Sequence, residues 1–328
     1  MQIGKVPENI LKRSVFKQIH HRRPEVLLHP GVGEDCSAVE AGEGEVLVFS
    51  VDPITATEKG MGTFAVHVTA NDLASSGAEP VGIMTSIILP PRKREKYLRE
   101  LMGEIEAACR ELEIEIMGGH TEISNVVNQP VVTVTGVGKV KKEKLVSTGG
   151  LQVGDDLVLT KWAGLEGTAI IAAQKREKLL ETLPEELVDT AADFYQYLSV
   201  VPEAKIAVET GVSAMHDVTE GGIFGALWEI GAAADLGISA DLTKIPIRQE
   251  TIEVCEVFGI NPYQMMSSGS MLIGCAKGNL LVDRLKESGI PAAVIGRATD
   301  SNDRVITNGE ETRFLDPAGS DELYKIYE

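Results

Sequence analysis

The sequence predicts an α/β (α+β) fold in two domains, and three observations carry that expectation. Its 328 residues exceed what a single hydrophobic core usually holds. Short runs rich in β-branched residues alternate with longer stretches whose apolar residues recur at helical spacing. The turn-rich segment "STGGLQVGDD" at 147–156 separates two such series, so the boundary is placed near 150, with domains at 1–150 and 151–328.

In chain order, Asn9 caps a first helix reaching about His20. Strands follow at 46–51 (VLVFSV), 81–89 (VGIMTSIIL), 114–117 and 131–137 (VVTVTGV), each bounded by Gly or Pro. Between them, Leu98, Leu101, Met102, Ile105, Cys109 and Leu112 form one apolar stripe on a helix over 97–112. The second series predicts a strand at 156–160, a helix from Glu166, a long helix near 185–199, a short strand at 212–215 and a helix from Gly222. Strands at 270–275 and 292–296 complete it, and no short-period repeat points to a solenoid or propeller.

Composition narrows the function. Acidic residues outnumber basic ones 49 to 31, a formal net charge of −18, which argues against a nucleic-acid backbone or an anionic membrane as partner. Aromatics make up only 5%, too few for stacking platforms on single strands. Charge interrupts the N-terminal stretch throughout and no apolar run approaches the roughly 20 residues of a membrane span, so a cytoplasmic protein is expected. Cys36, Cys109, Cys255 and Cys275 form no C-x-x-C pair.

Four aspartates stand out by position. Asp35 lies in "PGVGEDCSAV" with Gly31 and Gly33. Asp52 ends the strand in "VFSVDPIT", where Pro53 stops the ladder. Asn71 and Asp72 sit in the small, apolar "HVTANDLASSGAEP", and Asp217 lies in "AMHDVTEGGIFGAL" before Gly221 and Gly222. Each acid taken alone also reads as a helix cap or turn former. Together, carboxylates at neighbouring strand ends repel unless a cation lies among them, and hard oxygen ligands suit Mg²⁺ with phosphate oxygens. The glycine loops and the helix start at Gly222 offer N–H groups to such phosphates. "GGHTE" (118–122) reads either as a turn between strands or as a backbone cradle for an anion. His67 and His120 read as hydrogen-bonded structural residues or as ligands.

These motifs, in this order, resemble the superfamily of aminoimidazole ribonucleotide synthetase, whose members include selenophosphate synthetase, thiamine-monophosphate kinase and the hydrogenase-maturation dehydratase. "GVGEDCSAV" looks like the family's Gly-rich Asp loop, "SVDPIT" its strand end, "ANDLASSGAEP" its most specific segment, "GGHTE" its Gly-Gly turn and "HDVTEGG" its second-half motif. The opening "GKVPENILKR", "HDVTEGGIFGALWEI" and "FGINPYQMMSSGSMLI" are most similar to the hydrogenase-maturation branch.

The resemblance implies ATP held through Mg²⁺ and N-terminal halves that pair as a β-barrel at a homodimer interface, beside a C-terminal α/β domain. It also implies transfer of the γ-phosphoryl group to a small-molecule or protein-borne oxygen. Carried over by residue, Asp35, Asp52, Asp72 and Asp217 match the metal-binding acids. Asn71, Gly118, Gly119, His120 and Thr121, with Gly31, Gly33, Gly221 and Gly222, face the nucleotide. Lys161 touches the acceptor or a phosphate, or is a surface lysine. If the acceptor is an amide or carboxylate oxygen the outcome is dehydration or ligation; the alternatives are a small-molecule kinase or a nucleotide-binding partner in metallocofactor assembly. Two departures stand against the branch. The dehydratase carries its substrate on a C-terminal cysteine, whereas this sequence ends "SDELYKIYE", and Glu34-Asp35 replaces a pair of aspartates.

Overall fold

The computed structural model describes residues 8–20, 23–54, 60–317 and 319–327. The chain divides into two compact units, one of Arg23–His29 and Asp35–Leu145, the other of Met1–Arg22, Pro30–Glu34 and Val146–Glu328. The main division falls at Leu145/Val146, but residues 1–22 and 30–34 group with the later unit. Residues 4–7 of the opening motif and Thr55 of "SVDPIT" lie outside the described residues.

Helix α1 (Glu8–Ser14) is shorter than the sequence suggests and contains Asn9 rather than being capped by it. A single 3-10 turn follows at Phe16–Gln18. None of residues 12–20 is buried, so no packing extends the helix.

The first unit is a six-stranded sheet of β1 (Val26–Leu28), β2 (Ser37–Gly42), β3 (Glu45–Ile54), β4 (Glu79–Leu89), β5 (Glu115–Ile123) and β6 (Val131–Lys141). Its order is β1-β2-β3-β6-β4-β5; only β4 and β5 run parallel. Helices α2 (Met61–Ser75) and α3 (Glu95–Glu111) cover one face. Met61, Ala65 and Val66 of α2 and Leu101 and Ile105 of α3 meet Ile83, Ile87, Val132 and Val134 of the sheet. On the opposite face Val51, Thr135 and Met84 lie side by side across β3, β6 and β4, with Val51 60% and Met84 46% exposed. The sheet is open: β1 and β5 are its edges, so this chain does not by itself close the barrel expected at a dimer interface.

The second unit holds β7 (Asp156–Thr160), α4 (Leu165–Gln174), α5 (Arg176–Leu179), α6 (Glu185–Ala192), α7 (Val201–Thr210), β8 (Ala214–Asp217) and α8 (Gly222–Ala234). It continues with β9 (Gly237–Asp241), α9 (Gln249–Phe258), β10 (Met271–Cys275), α10 (Gly278–Glu287), β11 (Ala292–Thr299), β12 (Arg304–Asn308) and β13 (Glu311–Phe314). The sheet order is β13-β12-β9-β11-β7-β10-β8, antiparallel except for β12 with β9. Leu157, Leu159 and Leu272 face α8 through Ile223, Leu227 and Ile230. Val158 and Ile273, alternate along the same strands, point to the other face and are equally buried. The long helix expected near 185–199 breaks after Ala192 into a 3-10 segment, Asp193–Tyr197, which seats Phe194 in the interior. Among the described residues no helix is long and apolar enough to cross a membrane.

Candidate functional site

In the first unit, alternation along β3 turns Val46, Val48 and Ser50 to the buried face, and Asp52 follows two residues on. Helix α2 is apolar nearly all round and brings Asn71 and Asp72 inward, Asp72 being only 4% exposed. The main chain at Asp72 is pinned: its carbonyl accepts from the Cys36 thiol at 3.2 Å and from the Ser75 hydroxyl at 2.7 Å. The Ser50 hydroxyl then lies 3.0 Å from Asp52 Oδ2 and also contacts Asp72 Oδ2. One hydroxyl carries one hydrogen and cannot donate to both carboxylates at once. Two carboxylates and a hydroxyl so placed make an all-oxygen donor set, which fits Mg²⁺. Sequence reasoning named both aspartates but missed Ser50, although its position two residues before Asp52 on a strand was a usable signal.

Asp35, the first residue of this unit after the loop, is exposed. The segment "GGHTE" is not a turn. It lies wholly within β5, paired in parallel with β4 from Gly82↔Glu115 to Leu89↔Ile123. Gly119 is required by close approach, since a Cβ there would stand 2.2 Å from the Thr85 carbonyl oxygen. Gly118, Gly119, His120 and Thr121 are exposed on this edge strand, separated from β3 by β6 and β4, and His120 Nε2 lies 3.2 Å from Glu122. His67 is buried in α2, 4% exposed.

In the second unit, Asp217 ends β8 and is 1% exposed, paired in register with Met271. His216 beside it, which sequence reasoning passed over, lies 2.9 Å from Glu229 of α8. Gly222 packs against the turn before β10, where a Cβ would come within 2.6 Å of the Met265 carbonyl oxygen. The Gly221 amide, expected to face a phosphate, donates to Asp321 at 2.7 Å. Gly33 has φ +74 and packs on Glu229, while Gly31 bridges to Glu34.

Lys161 is neither a surface lysine nor turned to a ligand. It is 6% exposed, and its ammonium donates to the carbonyls of Tyr197 (2.9 Å), Ser199 (2.6 Å) and Gly269 (2.7 Å) while pairing with Glu203 at 2.6 Å. Burial lowers its pKa and Glu203 opposes that shift. Its three N–H groups are spent on fixing the chain around it. All four cysteines are buried. Burial pushes the thiols of Cys109 and Cys275 up to about 11 and that of Cys255 up to about 12, so these three are not poised as thiolates.

Comparison with known proteins follows this division of the chain. Residues 33–140 match the model of the AIR synthase related protein N-terminal domain, and residues 152–308 match that of its C-terminal domain. The carbamoyl dehydratase HypE of Cupriavidus necator is 30% identical over 251 residues, covering 74% of this chain and 69% of that protein. A putative hydrogenase expression/formation protein of Methanocaldococcus jannaschii is 27% identical over 316 residues, covering 92% and 90%. The crystal structure of the hydrogenase maturation protein HypE in complex with ATP superposes with a TM-score of 0.72 at 18% identity, covering 96% of this chain and 95% of that one. The chain therefore belongs to the AIR synthase related family, with both of its domains present.

Proposed function

We propose that the chain is an Mg²⁺-ATP-dependent enzyme of the hydrogenase-maturation type, which phosphorylates an amide or carboxylate oxygen so that the oxygen leaves as phosphate. The observation that carries this reading is the pair of carboxylates, Asp52 and Asp72, held around the single hydroxyl of Ser50. The likeness to carbamoyl dehydratases and to an ATP-bound structure supports it. Mg²⁺ bound there would supply positive charge against the phosphate oxygens, the main requirement of phosphoryl transfer. Asp52 and Asp72 hold the cation, Ser50 fixes their spacing, and Asn71 on the same turn of α2 is the adjacent polar group. Asp35 and the glycines of "GGHTE" are assigned as further metal- and nucleotide-facing groups of the first unit, and Asp217 as a metal-facing acid of the second.

Cys36, Cys109, Cys255 and Cys275 are all buried, so none of these four is placed to carry a carbamoyl group. The exposed row of Val51 and Met84 supports a homodimer formed through that sheet face.

Calorimetric titration of ATP into the purified protein, with and without Mg²⁺, tests the reading. Binding is expected only with Mg²⁺ and is expected to be lost in Asp72→Ala. A folded wild-type chain that binds no nucleotide under either condition overturns the proposal.

A further inference from the structure

The inward row of β6 runs Val132, Val134, Gly136, Gly138, Val140, all of them buried, so two glycines stand where this strand otherwise carries valine. β6 lies inside the sheet, between β3 and β4, where a glycine gives up side-chain packing and backbone entropy. Backbone conformation does not require Gly136, which is not among the glycines with positive φ. Space does. A Cβ at 136 would stand 2.4 Å from Thr69 Cγ2 and 2.9 Å from Leu73 Cδ1, both on α2.

Those two contacts bracket Asp72. Thr69, Asp72 and Leu73 lie on one face of α2, a single turn apart. Gly136 is in turn paired in register with Ser50, and residues directly opposite each other on neighbouring strands project to the same face. The position that admits α2 to the sheet is therefore beside the hydroxyl that Asp72 contacts. Thr69 has no easy way to yield. It is fully buried and branched at Cβ, and its hydroxyl donates to the Ala65 carbonyl at 2.9 Å, a bond lost if Cγ2 is swung aside. Leu73 is packed in one buried cluster with Val46 and Val48.

We propose that Gly136 is a positioning residue, which sets how closely α2 lies on β6 and thereby how closely Asp72 approaches Ser50 and Asp52. A side chain there lifts this turn of α2 by about 1 Å, the distance that restores ordinary carbon–carbon contact. The ligands of a site have to be held within about 0.5 Å. The consequence for Mg²⁺ and ATP rests on the function proposed above, whereas the seating of the helix does not. Gly138 differs, since a Cβ there would lie 3.0 Å from the Ala78 Cβ, a milder contact beyond the end of α2.

Calorimetric titration of ATP with Mg²⁺ into the wild type, Gly136→Ala and Gly138→Ala tests this, beside crystal structures of the wild type and of a folded Gly136 variant. Gly136→Ala is expected to bind about 10- to 100-fold more weakly, as when a group that orients a metal ligand is altered, and its structure to show Asp72 drawn away from Ser50. Gly138→Ala is expected to keep wild-type affinity. Gly136→Ala/Thr69→Ser, which retains the hydroxyl and removes the methyl, is expected to recover part of the loss. Wild-type affinity in Gly136→Ala with only a lowered melting temperature, an equal loss in Gly138→Ala, or an unmoved Asp72 overturns the proposal. If Gly136→Ala does not fold, the double variant decides: binding weaker than wild type supports the seating role and wild-type affinity overturns it. A wild-type chain that binds no nucleotide sinks the Mg²⁺-ATP reading alone, and the crystal structures then decide the seating.

Discussion

The Lys161 ammonium stands 2.6 Å from the Glu203 carboxylate, and both side chains are almost wholly buried. Three main-chain carbonyls complete the shell, so the pair ties β7 to the segment before α7 and to the turn before β10. Lys161→Met leaves an unpaired buried carboxylate and should destabilise the chain by about 3–5 kcal/mol. The double variant Lys161→Met/Glu203→Leu should recover much of that loss, because it removes the charge the single variant strands. Thermal melts of the three proteins check this. A single variant as stable as the wild type would mean that the pair holds nothing in place.

Ser50 contributes differently from the aspartates it joins. Removing its hydroxyl leaves Asp52 and Asp72 in place without the group that lies between them, so Ser50→Ala should weaken Mg²⁺-dependent ATP binding by about tenfold, the worth of one hydrogen bond. Asp72→Ala, which removes a ligand, should abolish binding. Calorimetric titrations of the two variants side by side distinguish positioning from ligation. Equal affinity of Ser50→Ala and wild type would restrict Ser50 to joining α2 and β3.

How much of this was legible depends on where each signal lay. The strands at 46–51, 81–89, 131–137 and 156–160 were readable because β-branched runs lie close to glycines or prolines, although β3 does not stop at Pro53 as expected but pairs with β6 as far as Ile54; helix α3 was readable because its stripe faces a charged side. Helix α2 lacks such a stripe, since thirteen of its fifteen residues are buried. β9, β12 and β13 are short and carry polar or small residues (GISAD, RVITN, ETRF), which resemble loops until a neighbouring strand pairs with them. Asp52 and Asp72 were visible as acids in apolar settings. The inward course of Lys161 was not, because its partners at 197, 199, 203 and 269 are brought to it only by the tertiary fold.

Gly119 illustrates a residue whose type was read for one reason and is required for another. Its position in β5 leaves no room for a Cβ beside the Thr85 carbonyl, so Gly119→Ala should displace the edge strand at an overpacking cost of about 1–3 kcal/mol. Faster exchange is expected in peptides of β5 than in those of β3, which is not an edge strand. A variant with wild-type exchange in β5 would show that the strand shifts without cost.

The sheet face opposite α2 and α3 supplies the last prediction. Val51, Thr135 and Met84 form a lateral row, and Val51 and Met84 expose roughly half their surface or more. Exposed apolar residues set side by side on a flat sheet are costly in water and mark an interaction face. If that face joins two copies, a charge in its middle should separate them, since an unpaired carboxylate would be desolvated at the contact. Met84→Glu and Val51→Glu should each shift the sedimenting species from dimer to monomer, leaving the circular dichroism spectrum unchanged because neither side chain enters the core. A wild-type monomer at micromolar concentration, or variants that sediment like the wild type, would remove this face from the dimer proposal.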